Sequence, residues 1–142
     1  MFKKKYLKTY KLTDVQAIQL ELIKRATFNS FDGEMVVRDL LNHRDLWEAC
    51  LMTRDITAAI NHHLPPTIAY DSIDLIPLRD MGEGHWNVDT LYIIINNEKE
   101  REMKDLAKGW EADDSFLLPK KMVETRLGCS SFNKKVLCVW WD

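Results

Sequence analysis

The chain has 142 residues, 20 Lys+Arg against 22 Asp+Glu, with 46% hydrophobic and 30% charged positions. That balance excludes disordered, collagenous and low-complexity classes, and a chain this long buries about 70% of its unfolded surface without compulsory disulfides or metal. Its longest apolar runs, Leu91–Ile95 and Val136–Trp141, fall far short of the ~20 residues of a spanning helix.

The start, Met1-Phe2-Lys3-Lys4-Lys5, has the charge of a signal segment but no apolar stretch after it. A cytoplasmic protein without membrane contact is the expectation. Residues 1–12 carry five lysines and no acid, so the net charge of −2 divides into a +5 arm and a −7 remainder. Phe2, Tyr6, Leu7, Tyr10 and Leu12 interleave with those lysines, which suits an edge strand protected by charge. The same arm could contact nucleic acid, although the acidic remainder opposes phosphate.

Thr13 with Gln16 reads as a capping box, opening a helix with Val15, Ile18, Leu22 and Ile23 at helical spacing as far as Ala26. A second helical stretch opens at Asp32-Gly33 and carries Val36, Val37, Leu40, Leu41, Trp47, Cys50 and Leu51, with a kink or restart at 42–45. Ile56, Ala59 and Ile60 suggest further turns, stopped by Leu64-Pro65-Pro66, with His62-His63 near the end as caps. From Thr67 to Leu78 the pattern nears alternation and predicts one or two strands, followed by a glycine-containing loop.

Thr90–Asn96 is β-branched without polar alternation, as in a central strand buried on both faces. Asn97 can cap a helix with Met103, Leu106, Ala107 and Trp110 on one face. A short strand at 115–118, a helix bracketed by Pro119 and Gly128, and a final strand at 136–141 complete the pattern. The expected fold is one α+β domain over 1–142, mainly helical over 1–64 and sheet-containing over 67–142. Its N-terminal helices pack against a small mixed, partly parallel sheet with β-α-β-α-β order in the C-terminal half.

His43-Arg44-Asp45-Leu46 matches the opening of the kinase catalytic loop, but Cys50 stands where the metal-binding Asn belongs, and no Gly-rich loop or D-F-G accompanies it. Cys50, Cys129 and Cys138 have no CxxC spacing and read as reduced thiols. No metal or cofactor is expected. The densest polar cluster is residues 79–89. There His85 is the candidate proton carrier, Asp89 and Glu83 its acidic partners, Arg79 and Asp80 ligand-binding groups, and Trp86 a pocket wall. Trp140-Trp141 is the candidate interface, since neighbours on a strand face opposite sides.

The leading functional expectation is a binding or interaction protein without a complete catalytic constellation, self-associating or paired with a protein partner. The first alternative is a small enzyme with an acid–base site at 79–89 acting on an anionic small molecule. The second is nucleic-acid contact through the lysine arm.

Overall fold

The computed structural model describes residues 4–26, 28–54, 75–128 and 133–142. The lysine-rich start is helical rather than an edge strand: α1 covers Lys4–Tyr10. Leu7 and Tyr10, three residues apart, both pack against the core while Lys4 and Lys8 stay in solvent. An alternating strand would have split Leu7 and Tyr10 between two faces.

Thr13 caps α2 (Asp14–Arg25), its Oγ1 accepting from Gln16 N–H at 3.1 Å. The buried stripe is Ala17, Leu20 and Ile23. Val15 and Ile18, expected on that stripe, face outward at 78% and 41% exposure. Asp32 caps α3 (Gly33–Asn42) by accepting from Met35 N–H at 3.0 Å. At the start of α3, Gly33 approaches the end of α2 so closely that a Cβ would sit 2.3 Å from the Ile23 carbonyl oxygen.

A 3-10 turn (Arg44–Leu46) follows α3, and then β1 (Trp47–Thr53). Trp47, Cys50 and Leu51 therefore lie on a strand, not on the helical continuation expected of them. A bulge accounts for the difference, because Trp47 pairs with Ile95 and Ala49 with Ile94. The extra residue, Glu48, leaves Trp47 and Cys50 on one face at a separation of three, which is helical spacing.

The next described elements are α4 (Ile76–Met81), β2 (Thr90–Ile95), α5 (Glu100–Ala107) and a 3-10 turn (Lys108–Trp110). They are followed by β3 (Asp114–Leu117), α6 (Lys120–Leu127) and β4 (Lys135–Trp140). Positions 76–78 are helical where a strand was expected, and α5 begins after Lys99 rather than Asn97. The expected turns at 56–60, the His62-His63 cap, the strand at 67–74 and Cys129 lie outside the described residues.

The fold is α+β, but its sheet is not partly parallel. The order is β1-β2-β4-β3, and every neighbouring pair is antiparallel. β2 and β3 do run in the same direction, as a helical crossover dictates. β4 inserts between them and opposes both.

One face of this sheet presents Met52, Leu91, Ile93, Leu137 and Val139 to the main core, together with residues of α2, α3 and α5. Trp47, Trp110 and Trp141 are fully buried there. Their indole N–H groups donate to Leu40 O at 2.8 Å, Asp39 Oδ2 at 3.0 Å and Trp110 O at 3.2 Å respectively. The other face packs Val136 and Cys138 against Leu118 and Val123.

Part of the outer edge of β1 is capped by a side chain. Gln16, instead of completing its capping box, donates from Nε2 to Cys50 O and accepts from Cys50 N–H, both at 3.0 Å. Its amide pairs with the strand as a neighbouring peptide would.

Replacing Gly33 with Ala should lower the unfolding free energy by about 1–3 kcal/mol, measured by urea denaturation, because α2 and α3 must separate to admit the methyl group. Between α5 and β4, Glu100 accepts from Lys104 at 2.8 Å and Lys135 at 2.6 Å, and those bonds hold its carboxyl down at about 2 from the ordinary 4.5. A depressed value means this bridge contributes fully above the ordinary carboxylate range and is lost as pH falls towards 2. Carboxyl NMR should find the Glu100 midpoint near the lower value, returning to the ordinary range when Lys104 and Lys135 are both changed to Met.

Candidate functional site

Residues 79–89 divide into two separately paired groups. In the first, Arg79 donates from Nε and Nη2 to the two Asp80 oxygens at 2.5 and 2.8 Å, and Asn87 Nδ2 donates to Asp80 Oδ2 at 2.8 Å. The bonds from Arg79, then Asn87, hold the Asp80 carboxyl at about 2. The guanidinium expected to grip an anion is thus already bidentate with its neighbour. Gly84, with φ 82°, turns the chain back, and Glu83 and His85 stand in solvent.

Asp89 heads the second group and is buried. It accepts from the Thr90 hydroxyl at 2.8 Å and lies 3.4 Å from Arg54 Nη1, whose guanidinium sits 5.6 Å from the Phe28 ring centroid. Its backbone N–H reaches Thr53 O at 3.3 Å, and its carbonyl accepts from Trp141 N–H at 3.0 Å. Asp89 therefore ties together the ends of β1, β2 and β4. No hydrogen bond or ion pair joins it to His85 among the described residues.

The remaining expected site residues are aromatic. Trp86 is half-buried, packs against the core and makes a backbone bridge to Ala26. Trp141 has no exposed surface and meets Phe31 edge-on at 4.7 Å. Trp140, on the opposite face, is half-buried and paired with Thr90 and Asp114. No described helix is long and apolar enough to cross a membrane. Among the described residues, no group of three His, Cys, Asp or Glu could hold a metal ion.

A different feature is concave and apolar. Among the described residues, α6 packs on the β4 side of the second sheet face, and none packs over Leu51 on the β1 side, which is 52% exposed. Between Leu51, Tyr92 and Ile94 of the sheet and Val123, Arg126 and Leu127 runs a groove of about 340 Å³. Arg126 is the one charged residue among its described lining. Its guanidinium stands 5.9 Å from the Tyr92 ring centroid and 3.4 Å from the Tyr92 hydroxyl. Cys50 borders the groove, but burial pushes its thiol up to about 12, so it stays protonated and poorly nucleophilic.

The groove has the size and composition of small ligand sites: apolar walls with one polar group to orient an occupant. It escaped the sequence reading because Ala49 and Leu51 belong to a sheet face only once β1 is known to be a strand. The available signal was the break at Asn42-His43 before a run ending in Thr53.

Changing Asp89 to Ala should cost about 3 kcal/mol in denaturant-measured stability, because Arg54 is left largely buried without its counter-charge. His85→Ala should leave stability within about 0.5 kcal/mol, as expected of an exposed side chain. No protein-family model, no curated protein and no solved structure matches this chain.

Proposed function

We propose that this chain is a binding protein rather than an enzyme, and that its binding surface is the open half of the second sheet face. The observation that carries this reading is the apolar groove with Arg126 as the one charged group of its described lining. Leu51 is 52% exposed on the strand that floors it, and with Tyr92 and Ile94 it forms a continuous apolar lining rather than an isolated exposed side chain. The chemistry suits an apolar molecule or side chain with one negative group, its body on Leu51 and Ile94 and its anion near Arg126. The acid–base alternative has less support, since Arg79 is engaged by Asp80 and Asp89 by Arg54.

Anilinonaphthalene sulfonate, an apolar ring system with one anionic group, is a direct probe. Saturable binding is expected, with methyl NMR shifts at Leu51, Ile94 and Val123. Leu51→Lys should weaken it at least about ten-fold, as desolvating a charge in an apolar site demands. Binding that is unsaturable, or unchanged by Leu51→Lys, would sink the proposal.

A further inference from the structure

The two margins of the sheet differ. At β1 two outward peptide groups are met by the protein's own side chains: Gln16 engages both the N–H and the C=O of Cys50, and Arg44 Nη2 donates to Glu48 O at 3.3 Å. At β3 the only described pairing is with β4. Leu118 N–H donates to Val136 O at 2.9 Å, so alternate positions face β4, and the peptide groups of Ser115 and Leu117 face away from it. Among the described residues, the outward Ser115 N–H reaches only the carboxylate next to it, Asp114 Oδ1 at 2.8 Å.

We infer that β3 pairs antiparallel with β3 of a second copy of this chain. Three observations lead to that occupant rather than an arbitrary strand. The first is geometric. In antiparallel pairing, outward residues must oppose outward residues, which a two-fold axis through Phe116 satisfies. Ser115 of each copy then exchanges hydrogen bonds with Leu117 of the other, and Asp114 gives up its local bond.

The second is aromatic. Phe116 is half-buried, and this register sets it opposite its own copy, a favourable cross-strand pair. The third is charge. Exposed Glu111, Asp113 and Asp114 precede the strand, and exposed Lys120 and Lys121 follow it. None of the five takes part in an ion pair among the described residues. Antiparallel self-pairing lays the acidic end of each copy along the basic end of the other, whereas parallel pairing would set like against like.

Four backbone hydrogen bonds and one aromatic pair make a small interface, well under the roughly 800 Å² per partner of a standard one, so dissociation on the order of 100 µM is expected. None of the residues used here is needed for anion binding in the groove, so the two proposals fail separately.

The test is sedimentation equilibrium of the full chain from about 10 µM to 1 mM, bracketing that range. The average mass should climb from 16.7 kDa towards twice that value. Ser115→Pro removes an N–H that β4 does not use, a change edge strands tolerate. It should stay monomeric throughout, with an unchanged circular dichroism spectrum and unchanged probe binding. Wild-type protein that stays monomeric at the top concentration, or a Ser115→Pro variant that dimerises equally well, overturns the inference. Should that variant fail to fold, the Lys120→Glu/Lys121→Glu double variant decides. Association weakened at least ten-fold, and restored by adding Glu111→Lys and Asp114→Lys, supports β3 pairing, while unchanged association refutes it.

Discussion

A buried indole N–H is costly without an acceptor, and in this protein the three fully buried tryptophans have acceptors that fix how helices and strands meet. Trp47 from β1 and Trp110 from the turn after α5 both reach the end of α3, at Leu40 and Asp39. Trp141, at the end of β4, reaches the carbonyl of Trp110. Each ring brings roughly 200 Å² of apolar surface into the core, and each would leave an expensive unpaired donor if its acceptor moved. α3 is thereby anchored to both long-range components of the sheet, and the stacking of the helical layer has little freedom left.

That arrangement decides which surface remains for function. The helical layer seals the face bearing Leu91, Ile93 and Leu137. Among the described residues, the other face is covered by α6, which packs on β4 through Val123. The groove is the remainder. Its floor is rigid, because β2 is paired on both sides along its full length. Its wall is a short helix, so an occupant would meet a fixed sheet and a more adjustable rim.

Where the sequence carried one strong local signal, it could be read correctly. The β-branched run at Thr90–Ile95 is a central strand, Met103 and Ala107 share the buried face of α5, Thr13 caps α2, and α3 opens at Asp32-Gly33. Failures occurred where a long-range contact overrode the local pattern. A single bulge at Glu48 gave β1 a helical period. The parallel relation of β2 and β3 was legible, but no local feature says that a later strand will enter between them. At 79–89 the residue types suggested convergence, whereas Arg79 satisfied Asp80 and Arg54 reached Asp89 from the end of β1. The apolar groove was hidden twice, by the misread strand and by residues far apart in the chain.

Gln16 carries a consequence beyond the local packing. An exposed strand at both margins would make each molecule divalent, able to add neighbours without end, which is how sheet proteins become fibres. At β1 an amide from the protein's own helix takes the place of a neighbouring peptide at Cys50, so a strand from outside cannot pair there without displacing it. If β3 pairs as proposed, that amide biases assembly towards a closed pair, because further growth through β1 would first have to displace Gln16 from Cys50.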